Sequence, residues 1–290
     1  MTSYITKIKA KVSIYATKKS SNVFDGSYKS IFVGNGLDFE NLREYIPGDN
    51  IRDIDWKASS RSGRYLVKRY VAERKHNVMF VFDTGKKMMG STKGNEIKKT
   101  VALYTAGTIG YLASKNGDNI GAMFNSNGMI NFFQLKTGLL NLERILTQYD
   151  IEDCSDYKGD LNKNLDYIIK NIRRKMVIFI ISDANGLYNV DDNILKKLTH
   201  QHDVLFVDIS DADFTDGKSY DVDKDMYIPE FISSNKKLRI IEQETKKQIF
   251  EECSRKLIRH GIVSTQIDNE EEIIDKVIAL LEGHRYANNR

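Results

Sequence analysis

Three short apolar runs constrain this chain more than any other feature. VMFVFD (78–83), MVIFIISD (176–183) and DVLFVDIS (203–210) each have the length of one strand and carry almost no polar residue before their carboxyl ends. Unbroken apolarity at that length marks a strand buried on both faces, as in a parallel sheet. Helical patterns lie between the runs. Asn95 to Lys115 reads as a helix stopped near Gly117, with Gly107 and Gly110 placed for close packing on a sheet. Leu139 to Tyr149 reads as a second helix. Leu161 to Arg173 reads as a third, with Leu161, Leu165, Ile168, Ile169 and Ile172 along one side. NIGAMF and MINFFQL flank Ser-Asn-Gly, a hairpin signal. A helix to about His200, a helix from Thr245 to His260, a strand IVSTQID and a helix from Glu270 to Glu282 complete the pattern. Strands alternating with helices predict an α/β fold, a mostly parallel sheet with helices on both faces.

Sheets of this kind bind ligands beyond the carboxyl ends of their strands, where the strand order reverses. Asp83, Asp183 and Asp208 stand at those ends. The first 75 residues carry turn signals and charge without a clean helical period. The predicted division is an N-terminal extension over 1–75 and an α/β domain over 76–290.

Composition excludes several classes. The chain has 290 residues, of which 41% are hydrophobic, enough for real cores. Its two cysteines, Cys154 and Cys253, form no disulfide framework or zinc pattern, which favours a reducing compartment. No signal-peptide core and no apolar run of membrane-spanning length occurs, so the expectation is a cytoplasmic protein without a membrane span. Gly85 and Gly90 have phosphate-loop spacing, but Ser91 stands where the loop needs lysine. The acid-rich stretch 211–225 fails as a calcium loop, because counting from Asp211 puts Asp216 at the glycine position and Val222 at the glutamate position. RYLVKRYV alternates like a strand, so its basic residues are not read as a nucleic-acid surface. No cofactor motif is present, and no active site is assigned.

The most specific text is GNGLDFENLREYIPGDNIRDIDWKASSRSGRYLVKRYVAERK, 34–75. Its Gly36, Phe39, Leu42-Arg43, Tyr45, Pro47-Gly48-Asp49, Ile51-Arg52, Ile54-Asp55-Trp56, Ala58-Ser59, Arg61 and Gly63 resemble the signature of the domain of unknown function 58 family. That family is von Willebrand factor A-like and is typically found alongside MoxR-type AAA+ ATPases. The resemblance implies a non-catalytic adaptor or co-chaperone that passes a client protein to such an ATPase. Arg43, Asp49, Arg52, Asp55, Trp56 and Arg61, with Lys86 and Lys87, are the candidates for partner binding. Arg43, Arg52, Asp53, Asp55 and Arg61 are expected to pair beside Trp56. Acidic residues dominate 34–57 and basic residues 58–75, a sign change suited to electrostatic recognition.

The resemblance also implies a place for a metal. A metal-binding A domain has Asp-x-Ser-x-Ser after its first core strand, a threonine in a later loop and an aspartate in another. Here Asp83 and Asp183 match the aspartates, while Gly85, Lys87 and Gly159 stand at the hydroxyl positions. The expectation is a degenerate site without a tight divalent cation, with Lys86 or Lys87 paired to Asp83 or Asp183. Two other readings remain open: a hydrolase using Asp83 and Asp183, and a metal-dependent protein-binding A domain.

Overall fold

A computed structural model describes residues 3–18, 37–72, 75–126, 128–152, 154, 159–213, 220–221, 226–227, 229 and 234–288. Gly36 of the signature and most of the acid-rich stretch 211–225 lie outside them. The chain divides into two compact units, one of residues 32–75 and one of residues 1–31 with 76–290. The first 75 residues are therefore not a single extension. Helix α1 (Tyr4–Lys18) belongs to the larger unit. Its Ile5 and Ile8 are buried, and Glu143 accepts from the backbone N–H of Tyr4 (2.8 Å) and of Ile5 (2.9 Å). Those N–H groups have no partner within the helix, so this contact caps it from outside.

The small unit is a hairpin with an insertion. β1 (Leu37–Glu44) pairs antiparallel with β2 (Leu66–Ala72), with a register shift between residues 39 and 41. Between them lie a turn at Gly48 (φ +110°), a 3-10 turn over Ile51–Asp53 and α2 (Trp56–Ser62). Asp55 accepts from the Ala58 N–H and caps α2, and Gly63 ends it at φ +68°. Only glycine takes such left-handed positions without strain.

The large unit is an α/β sandwich. β3 (Asn77–Phe82), α3 (Lys98–Lys115), β4 (Asn119–Ser126), β5 (Met129–Lys136), α4 (Leu139–Ile151), α5 (Leu161–Asn171) and β6 (Val177–Ser182) come first. Then follow α6 (Ala184–Tyr188), α7 (Asp192–Gln201), β7 (Asp203–Ile209) and the two-residue strands β8 (Tyr220–Asp221) and β9 (Met226–Tyr227), which pair with each other. α8 (Lys236–Arg259), β10 (Val263–Ile267) and α9 (Ile273–Asn288) close the chain. The six-stranded sheet has the order β10-β7-β6-β3-β4-β5, parallel except for β5. The chain first builds β3, β4 and β5 to one side. It then returns to lay β6 on the other side of β3, so the strand order reverses between β3 and β6.

Alternation along β3 divides the core. Met79 and Val81 join Leu165, Ile168, Ile178, Ile180 and Leu195 on one face. Phe80 and Phe82 turn to the other, where Phe82 stacks on Tyr149 of α4 at 4.1 Å between centroids. α3 is buried on nearly every side. A Cβ at Gly107 would strike Ile8 of α1, and one at Gly110 would strike Leu142 of α4. The two glycines thus serve helix–helix packing, not the helix–sheet packing expected from the sequence. Helix boundaries also differ. α3 starts at Lys98, α8 begins at Lys236, α9 spans Ile273–Asn288, not 270–282, and the helix expected to run to His200 is broken between α6 and α7.

Candidate functional site

At the reversal point the ends of β3 and β6 are joined by backbone, since the Asp83 N–H donates to the Ile181 carbonyl at 3.0 Å. Asp83 and Asp183 are then brought face to face, and both are buried, at 2% and 1% exposure. Asp83 Oδ1 accepts from the Gly85 N–H (2.9 Å), and Oδ2 accepts from Ser182 Oγ (2.5 Å). Asp183 caps α6 through its Oδ1, which accepts from the Gly186 N–H at 2.8 Å.

A 3-10 turn over Lys86–Met89 follows β3 and turns Lys87 back into the site. Its Nζ lies 2.8 Å from Asp83 Oδ2, 2.8 Å from Asp183 Oδ1 and 3.5 Å from Ser182 Oγ. Of the two lysines expected there, Lys87 occupies the position between the carboxylates, and Lys86 lines the neighbouring cavity. A second cation comes from α3. Lys98, only 2% exposed, places its Nζ 3.0 Å from Asp183 Oδ2 and pairs with Asp211 just beyond β7. Two ammonium groups and three carboxylates thus tie together the ends of β3, β6 and β7.

The electrostatics follow from this pairing. Burial alone would raise the Asp183 carboxyl, but the Lys98 and Lys87 charges overcome it and hold the group at about 2. Burial alone would lower both lysines; the facing carboxylates reverse this and raise them. A carboxylate held at about 2 is a weak base, far from the matched value that general acid–base catalysis favours. The oxygens of Asp83, Asp183 and Ser182 have the hard chemistry of a magnesium or manganese site, and the Lys87 ammonium sits among them.

Gly85 and Gly159 do more than lack hydroxyls. A Cβ at Gly85 would come within 3.0 Å of Gly159 N, and a Cβ at Gly159 within 2.6 Å of Gly85 N. A Cβ at Gly159 would also strike Asp83 Oδ1. The two loops approach closely because neither has a side chain. Beside them opens a cavity of about 440 Å³ lined by Asp83, Lys86, Lys87, Asn162 and Asn185 among others.

The sequence profile of the family described as "Protein of unknown function DUF58" matches residues 41–217, more than half of the chain. The chain belongs to the DUF58 family. This DUF58 chain is 26% identical over 196 residues to uncharacterized proteins of Mycobacterium bovis and of two Mycobacterium tuberculosis strains. The match covers 67% of the chain and 61% of each relative's length. Among solved structures, an aerotolerance-related membrane protein from Bacteroides fragilis (TM-score 0.42) and the conserved hypothetical protein BatB from Bacteroides thetaiotaomicron (TM-score 0.40) are similar at 10% identity. In both cases 71% of this chain and 98% of the other are covered. Among the described residues, no helix is long and apolar enough to cross a membrane.

The signature residues of this DUF58 chain do not form the expected network. Arg43 is engaged by Asp49 through two bonds of 2.8 and 2.6 Å. Asp55 caps α2 and lies 3.7 Å from Lys68. Arg52, Trp56 and Arg61 are exposed and stand apart from those pairs. The strand-end rule pointed to Asp83, Asp183 and Asp208, and the metal pattern pointed to Lys87. Lys98 and Asp211 were missed. Lys98 reads as an ordinary lysine at a helix start, and Asp211 as part of a solvated acidic loop.

Asp208, at the end of β7, behaves differently from its neighbours. It is buried, its Oδ2 accepts from Gln266 Nε2 (2.8 Å), and its Oδ1 has no hydrogen-bond partner. Burial, with Asp183 and Asp211 nearby, raises its carboxyl from an ordinary 3.8 to about 7. The folded state therefore holds this proton where the unfolded chain has lost it. Stability from this group is full below 3.8 and declines as pH rises to about 7. Asp208→Asn is expected to flatten that decline, gaining about 2–4 kcal/mol over the natural chain at about pH 8 and little at about pH 4. Urea unfolding at the two pH values measures it, and equal differences at both would count against the assignment.

Proposed function

We propose that this chain is a non-catalytic protein-binding adaptor, a von Willebrand factor A-like domain whose metal-ion-dependent adhesion site has become degenerate. It works in the cytoplasm as a co-chaperone of a MoxR-type AAA+ ATPase, to which it brings a client protein. The observation that carries the reading is the Lys87 ammonium, 2.8 Å from both Asp83 and Asp183 at the point where the strand order reverses. In a metal-dependent A domain the ion there holds the strand-end loops and meets an acidic group of the partner. A protonated lysine keeps the loops together without metal and leaves neither carboxylate free as a base. Recognition then belongs to this chain, and nucleotide chemistry to the ATPase.

Affinity purification of the tagged chain from its native cell, with and without a non-hydrolysable nucleotide analogue, tests this. Enrichment of a MoxR-type ATPase with the analogue is the expected result. Absence of any ATPase in both samples, together with substrate turnover by the purified chain alone, would sink the reading.

A further inference from the structure

Within residues 42–68 of the small unit, Ser59 and Val67 are the buried ones. Ile46, Ile51, Trp56 and Tyr65 are instead exposed, Trp56 at 60% and Tyr65 at 64%. These four lie around one end of the hairpin. The Tyr45 N–H donates to the Tyr65 carbonyl (2.9 Å), which sets Ile46 beside that strand end. The Asp55 N–H donates to the Leu66 carbonyl (2.9 Å), which sets Trp56 on its other side. The Trp56 and Tyr65 rings meet edge to face at 6.3 Å. Ile51 lies in the 3-10 turn between these two anchoring points.

Charge separates on the same unit. Three carboxylates are engaged within it: Asp49 by Arg43, Asp55 by the α2 cap and Lys68, Glu44 by Arg64. The exposed cations Arg52, Lys57 and Arg61 pair with no carboxylate among the described residues, and Asp53 is the single unpaired carboxylate between residues 44 and 66. Between residues 44 and 66, pairing thus leaves three exposed cations against one carboxylate. Exposed Trp and Tyr with free Arg is the composition that anchors protein interfaces.

We propose that the Ile46–Ile51–Trp56–Tyr65 surface is a docking face for an acidic protein segment that carries apolar or aromatic side chains. The partner's carboxylates meet Arg52, Lys57 and Arg61, and its apolar groups cover the aromatic pair. This deepens the adaptor reading and rests on it only in taking the ligand to be a protein.

Trp56 is the only tryptophan in the chain, so its emission reports on this face alone. The full chain is titrated with a soluble glutamate–tyrosine random copolymer, with tryptophan excited selectively. Polylysine and anionic lipid vesicles serve as parallel probes. The expected result is a saturable blue shift and protection from acrylamide quenching with the copolymer, reversed by high salt. Arg52→Glu and Arg61→Glu each weaken that binding about tenfold at low salt, and Tyr65→Ala reduces the blue shift. Four results would overturn the proposal: no response to the copolymer, an equal response to polylysine, a response to vesicles alone, or a shift on raising the protein concentration that marks a second copy as the occupant. Blue, quench-resistant emission from the free chain would overturn it too, since the face would then be covered from within. The copolymer titration is independent of which proteins co-purify, so loss of the ATPase partner and loss of this docking face are separate results.

Discussion

Asp183→Ala is expected to destabilise the large unit by about 3–5 kcal/mol. The change removes the carboxylate that faces both Lys87 and Lys98, and Lys98 is too buried to find water instead. It also removes the cap on the Gly186 N–H, worth about 1 kcal/mol. Asp183→Asn keeps a cap acceptor and the volume but not the charge, so it falls between alanine and the natural chain. The acid limb provides a second readout. A carboxyl held at about 2 when folded, against an ordinary 3.8, gives stability that is present above 3.8 and lost as pH falls through about 2. Both variants should lose that part of the acid dependence. Urea unfolding measures the intercept and its pH profile. Variants within about 1 kcal/mol of the natural chain would mean that the ion cluster does not hold the strand ends.

Lys87→Ser should do more than destabilise. Two buried carboxylates then face each other across the place the ammonium held, beside the hydroxyls of Ser182 and of the new serine. Without metal, the loss is about 2–4 kcal/mol, because Asp83 is left buried without its counter-ion while Asp183 keeps only Lys98. These are hard oxygen ligands, and the adjoining cavity of about 440 Å³ leaves room for the waters that magnesium and manganese retain. Manganese should therefore bind the variant, weakly, and restore stability. At about one hundred times the dissociation constant the gain is about 2.7 kcal/mol. Thermal unfolding with and without manganese, and calorimetry, read this directly. The natural chain, with the ammonium in place, should not respond. If the variant ignores manganese, or both chains respond alike, Lys87 is not the group that holds the cation position.

The sheet was legible because its strands are continuous apolar runs, and Asp83, Asp183 and Asp208 are the polar residues that end or interrupt them. Lys87 was legible through the spacing of the metal pattern. The partners that complete the cluster were not. Lys98 meets Asp183, 85 residues away, and Asp211, and only the sheet topology brings the three together. α1 carries Ile5, Ile8, Val12 and Tyr15 at helical intervals, but intervening lysines and β-branched residues blur the period. The first turns of α8 are exposed and charged, so no apolar stripe announces them. The pairing of Arg43 with Asp49 was hidden differently. It is a local bond across a turn, and a sequence reading that sought a larger network passed over it.

The contact between Gly85 and Gly159 bears on how this site can change over generations. A serine at 85 or a threonine at 159 would supply a metal-binding hydroxyl, but either side chain would push into the opposite backbone. A hydroxyl at either position is thus penalised unless the other loop withdraws, and it gains no metal while Lys87 keeps its place. A change at Lys87 therefore has to come before either glycine can usefully change. The close fit makes the order of substitutions matter, and where the lysine is kept both glycines should be kept with it.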